Sequence, residues 1–113
     1  MPGELQAVTK AYDFALWLLP QVAKLPRSHR FTLGDRLEAT VLQLLEDLAE
    51  AQYRAKKLPL LEAANMRLER LRFLVRLSRD LRLLGPRQYE YAARAIDDIG
   101  GLLGGWIRQQ RAK

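Results

Sequence analysis

The feature that most constrains this chain is the spacing of its apolar residues, which recur at alternating intervals of three and four in separate stretches. Near the start, Leu5, Val8, Tyr12, Ala15, Leu19 and Val22 form such a series. Leu37, Val41, Leu44, Leu48, Ala51 and Ala55 form another, and Tyr89, Ala92, Ile96, Ile99, Leu103 and Trp106 a further one. This spacing places side chains on one face of an α-helix and is incompatible with the two-residue period of a strand. No strand-like alternation of useful length, internal repeat or low-complexity segment interrupts it.

Proline and glycine divide the pattern. Pro26 ends the first helix, and Pro20 within it leaves two possibilities, a kink or an earlier end. In the connector LPRSHRFTLGDR, Ser28 suits a cap for a helix starting near His29, while Thr32 with Asp35 resembles a weak capping box. The earlier start is preferred. The second helix then runs to about Lys56, where Lys56 and Lys57 suit the negative end of the helix dipole. Pro59 falls in the first turn of the third helix, Gly85 reads as its C-cap, and Pro86 prevents continuation. The expected helices cover about 5–24, 29–56, 58–84 and 87–109, in a single domain spanning 1–113. Connections this short predict an all-α, antiparallel, up-down-up-down four-helix bundle.

The third helix has more apolar surface than a lone bundle uses. Leu74, Leu77, Leu81 and Leu84, with Phe73 at one edge, read as its core face. Leu68, Leu71 and Val75 form a second stripe more than a right angle away, which reads as a surface for another subunit. The last helix carries GGLLGG. A glycine inside a helix costs about 1 kcal/mol relative to alanine. Gly100, Gly101, Gly104 and Gly105 therefore imply close backbone packing, inside the bundle or against a second subunit, or else a break in the helix.

Charge is distributed unevenly. Residues 1–57 carry 8 Lys+Arg against 7 Asp+Glu, whereas 58–113 carry 11 against 6, and the whole chain has a net charge of +6. Arginine outnumbers lysine 14 to 5. A basic surface favours polyanions, and arginine adds planar, bidentate recognition of phosphate. The stretch RLERLRFLVRLSRDLRLL concentrates this chemistry. Arg72, Arg76 and Arg79 share one side of the helix, with Arg82 beyond them, and Glu69 and Asp80 lie alongside. A solvated face with partial ion pairing is the plainer explanation. However, two acids do not neutralise the seven arginines between Arg67 and Arg87.

Several chemistries lack their residues. There is no cysteine, so disulfides, thiolate catalysis and Cys-based zinc sites are excluded. The single histidine, His29, lies among loop and basic residues and reads as a polar loop residue; it cannot form a His cluster. The neighbouring acids Asp97-Asp98 and Glu46-Asp47 point about 100° apart on a helix and make poor acid/base pairs. GGLLGG is not followed by the Lys-Ser/Thr of a phosphate-binding loop. Trp17 and Trp106, at helical spacing, suit core or interface better than base stacking. No signal peptide is recognisable, and no apolar run approaches the roughly 20 residues needed to span a bilayer. A non-enzymatic, soluble, intracellular protein without cofactor or metal is expected.

The order LPRSHRFTLGDRLEATVLQLLEDL, LRFLVRLSRDLRLL and QYEYAARAIDDIGGLLGGWI, from about Tyr12 to Ile107, resembles the four-helix-bundle family of the accessory variability determinant (Avd) of diversity-generating retroelements. That family is related to proteins encoded in intervening sequences of bacterial 23S ribosomal RNA genes. The resemblance implies a basic, barrel-like homopentamer that binds the retroelement's reverse transcriptase and nucleic acid, chiefly template RNA with DNA as a second candidate, and catalyses nothing itself. It also implies a cytoplasmic protein, bacterial or phage-encoded. Arg72 and Arg76 match the paired arginines of the family's LRF-x-x-R pattern, and Arg79, Arg82, Arg27 and Arg30 extend the expected contact surface. Arg87, Arg108 and Arg111 are lesser candidates. Leu68, Leu71, Val75, Gly100, Gly101, Gly104 and Gly105 are the expected subunit contacts. The alternative is a structural or interaction protein of the intervening-sequence type with no polymerase partner.

Overall fold

Helix boundaries follow the proline and glycine punctuation, with local departures set by backbone hydrogen bonding. The computed structural model describes residues 2–113. Helix α1 spans Pro2–Ala23, the single turn α2 spans Arg27–His29, α3 spans Asp35–Ala51, α4 spans Leu58–Asp80 and α5 spans Pro86–Arg111. Helix α1 runs through Pro20 without ending there. The second-helix region begins as a turn at Arg27, with Pro26 accepting hydrogen bonds from the amides of His29 and Arg30 at 2.9 and 3.0 Å. It continues as a π-helical turn over Arg30–Gly34 and becomes regular at Asp35. The Thr32 hydroxyl donates to the His29 carbonyl at 3.3 Å and caps nothing downstream. Gly34 packs tightly here: a Cβ would lie 3.2 Å from Val22 Cγ1. The π turn thus lets the chain pass tightly over the end of α1.

Helix α3 ends at Ala51, earlier than the apolar series implies, and Ala55 is exposed. Lys57 accounts for the early stop. Its Nζ donates to the carbonyls of Ala51, Gln52 and Arg54 at 2.6, 3.2 and 2.9 Å, satisfying acceptors that a longer helix would have paired. Helix α4 likewise ends at Asp80, not at Leu84. Arg82 adopts φ 61°, its amide donates to the Arg79 carbonyl at 2.8 Å, and the Leu83 amide reaches the Ser78 carbonyl at 2.8 Å. This is a Schellman motif, with arginine rather than Gly85 in the left-handed position. Gly85 instead caps the start of α5 in an extended conformation.

Helix α1 packs on α3 and α5, and α4 packs on the same two, leaving α1 and α4 diagonal in an up-down-up-down bundle of 46 × 23 × 19 Å. The core is continuous: Phe14, Leu18, Val41, Leu44, Leu48, Leu61, Leu68, Leu71, Val75, Ile96, Ile99 and Leu103 are all essentially inaccessible. Helix α5 buries the face its spacing predicts. Helix α1 does not. Its buried residues are Ala7, Ala11, Phe14, Ala15, Leu18 and Val22, while Leu5 and Tyr12 are exposed. The alanines allow close helix approach beside Phe14 and Leu18, and Leu5 and Tyr12 are left outside.

In α4 the expected inner and outer faces are exchanged in part: Leu74 and Leu84 of the expected core face still pack, half-buried, against the core. Leu68, Leu71 and Val75, expected at a subunit contact, are 1%, 0% and 1% exposed inside the bundle's own core. Phe73, Leu77 and Leu81, expected in the core, are 66%, 47% and 44% exposed. The reason is length. The Leu68 stripe continues back through Leu61 and Ala64 and forward to Ser78, so it lines the whole helix, whereas the Leu77 stripe occupies only its last turns.

Candidate nucleic-acid and partner interface

On the flank of α4 that meets α5, Glu69, Arg72, Phe73, Arg76, Tyr89, Ala93 and Asp97 line a cleft of about 360 Å³. The helical repeat brings Arg72 and Arg76 one turn apart, and Arg79 follows on the same side. The three guanidinium groups are in different states. Arg72 Nη1 donates to Asp97 across the helix pair at 2.5 Å, and its Nε lies 3.6 Å from Glu69. The hydrogen bond to Asp97 holds the Arg72 guanidinium above its ordinary pKa, with Glu69 adding to the effect against partial desolvation. Arg72 therefore stays charged at any working pH, but its field is partly cancelled by two acids. Arg79 donates to Asp80 at 3.0 Å and stacks 4.5 Å over the Tyr89 ring. Arg76 is exposed and has no ion-pair partner among the described residues. It is the uncompensated cation of the cleft, walled by the Phe73 and Tyr89 rings.

The remaining arginines assort by topology. Helix α4 ends where α3 and α5 begin, so Arg27, Arg30, Arg79, Arg82 and Arg87 share one end of the bundle. Arg27, Arg82 and Arg87 are exposed there. Arg30 is half-buried, lies 5.4 Å over the Phe31 ring and leaves its buried Nε without a partner. Arg108 and Arg111 lie at the opposite end, where Arg111 pairs with Glu62 at 3.1 Å.

The glycines also separate. A Cβ on Gly100 would meet Leu68 Cδ2 at 3.4 Å, so this glycine packs against α4 inside the bundle. Gly104 and Gly105 lie beneath the Arg108 guanidinium, at 3.5 and 3.8 Å from a would-be Cβ. Gly101 has nothing within 4 Å and lines an open groove with Leu5, Thr9, Asp98 and Leu102. Of these four, only Gly100 faces another helix of the bundle, and a Cβ there would make ordinary contact with Leu68.

Sequence reasoning missed Asp97 as the anchor of Arg72, and Tyr89 and Phe31 as rings beneath arginines. Asp97 is 25 positions from Arg72, and no local spacing announces such a pair. Trp17 is half-buried, 4.6 Å from the Tyr91 ring, and Trp106 is buried in the core. Among the described residues, no group of three or more His, Cys, Asp or Glu is placed to hold a metal, and no helix is long and apolar enough to cross a membrane.

No curated protein matches this sequence. The family model of bAvd-like proteins, however, matches residues 5–110, which takes in all of the bundle but the first residues of α1 and the last of α5, with the Arg72–Arg76 cleft and the glycine-rich end of α5. On that match, the chain belongs to the bAvd-like family.

Proposed function

We propose that this protein is a non-catalytic accessory factor of a diversity-generating retroelement, a basic homo-oligomeric scaffold that holds a reverse transcriptase on its nucleic acid. The observation that carries this reading is the doubled character of α4. One flank offers Arg72, Arg76 and Arg79 beside aromatic rings, and the outer face exposes Met66, Phe73, Leu77 and Leu81. Membership of the bAvd-like family supports the accessory role. The guanidinium flank suits phosphate or an acidic protein surface, and the absence of any groove-reading element favours backbone charge over base sequence.

Assembly follows from the apolar surfaces. Leu5, Tyr12, Leu16 and Leu42 are exposed along α1 and α3, and the Met66–Leu81 stripe is exposed on α4, diagonal to α1. Two unlike patches on different faces favour head-to-tail contacts, which close into rings rather than two-fold dimers. The pentamer implied by the family resemblance is such a ring, and it multiplies a chain charge of +6 around one axis.

Fluorescence anisotropy with a single-stranded RNA tests the site. Binding is expected to weaken steeply with salt, and an Arg72→Ala/Arg76→Ala variant should stay folded and associated while losing about tenfold or more in affinity for RNA or for the polymerase. Unchanged affinity for both removes the assignment.

A further inference from the structure

On the other flank of α4, facing α3, a second basin has no role in the reading above. Ala39, Thr40 and Gln43 of α3 and Arg67 and Arg70 of α4 line an open basin of about 230 Å³, several times the roughly 30 Å³ share of one water in the liquid. Its chemistry is unbalanced. Asp47, almost wholly buried, is the acid at its back. Gln43 Nε2 donates to Asp47 Oδ1 at 2.9 Å, which leaves Oδ2 facing Arg67 Nε at 3.6 Å, too far for a hydrogen bond. Arg67 Nε is itself buried without a hydrogen-bond partner. Arg70 is exposed and unpaired among the described residues, and the Thr40 hydroxyl makes no hydrogen bond within the bundle. Two guanidinium groups and a hydroxyl therefore line the basin, with the Gln43 side-chain oxygen as an acceptor on its wall and the unpartnered Asp47 Oδ2 buried behind Arg67.

We propose that Thr40, Arg67 and Arg70 form a seat for one phosphate group, with Asp47 as a positioning residue that fixes the Arg67 guanidinium from behind. A planar carboxylate presents both oxygens to a single arginine fork. Donors on two walls, one from each helix, suit a tetrahedral oxyanion whose oxygens point both ways. The pair Arg67–Asp47 is internally neutral, so Arg70 supplies the net charge that favours a dianion or a phosphodiester. The seat lies across the outer stripe of α4 from the Arg72–Arg76 cleft and stands independently of it.

Calorimetric titration of the full chain with sodium phosphate, against sodium chloride at equal ionic strength, tests the proposal. Saturable phosphate binding is expected. Arg70→Gln should weaken it about tenfold, the scale of one charge-assisted hydrogen bond, and Thr40→Val should weaken it while leaving Arg70 in place. Arg94→Gln, at an exposed arginine paired with Glu90, should leave it unchanged. No saturable heat, or wild-type affinity retained in both Arg70→Gln and Thr40→Val, overturns the seat. Two further arms identify the source of the phosphate. If Arg70→Gln also weakens single-stranded RNA binding and inorganic phosphate competes with RNA, the seat takes a backbone phosphodiester. If RNA binding is untouched, a titration with a mononucleotide carrying a terminal phosphate reads the free ligand.

Discussion

Single residues explain where this chain departs from its own pattern. Arg82 is the clearest case. At φ 61° it occupies the position of the Schellman turn that glycine fills at least cost. A left-handed residue with a Cβ costs about 1 kcal/mol or more, so Arg82→Gly should stabilise the fold by about that amount, read as a higher denaturation midpoint at matched chain concentration. A lower midpoint would mean that the arginine side chain supports the turn. The same residue shows what was hidden in the sequence. Gly85 and Pro86 mark the end of a helical pattern, yet the turn closes three residues earlier, because the Leu83 amide finds the Ser78 carbonyl. Lys57 works similarly at the end of α3, where a side-chain cap outweighs the one further residue of apolar periodicity, Ala55. Arg72 was legible as a charge; its engagement with Asp97 was not, because the partner comes from another helix.

At the scale of elements, periodicity revealed the number, order and approximate extent of the helices, and the buried faces of α3 and α5. It failed where a helix has two apolar faces. In α1 and α4 both faces satisfy a three–four spacing, and only the full-length stripe reaches the neighbouring helices along the whole bundle. The Leu61–Ala64–Leu68–Leu71–Val75 continuity was present in the sequence and was the discriminating signal. The exchange of faces has a direct consequence. Leu71→Ala removes a fully buried side chain and should cost about 2–5 kcal/mol in unfolding free energy. Leu77→Ser alters a half-exposed position and should change protomer stability by only about 0.5 kcal/mol, while lowering the sedimentation coefficient through lost association. Equal destabilisation by both, with association intact, would restore Leu77 to the core.

At the scale of the molecule, a bundle of 113 residues that hides a continuous core still exposes apolar rows on α1 and α4 and carries a net charge of +6. The first property favours association and the second favours an anionic guest. The Arg72–Arg76 cleft lies beside the α4 row, so a ring built through these rows would repeat the cleft once per subunit, and its affinity for a long polyanion would grow by multivalency. The bundle and the basic bias could be foreseen from composition and spacing. The gathering of Arg27, Arg30, Arg79, Arg82 and Arg87 at one end depends on the up-down topology, which places remote segments side by side. The central claim, an assembled basic scaffold for nucleic acid, is tested most directly by sedimentation of the full chain with a labelled single-stranded RNA in low salt. The account predicts a species near five times the 13.0 kDa chain mass that carries the RNA with it. A 13.0 kDa particle that sediments apart from the RNA would contradict it.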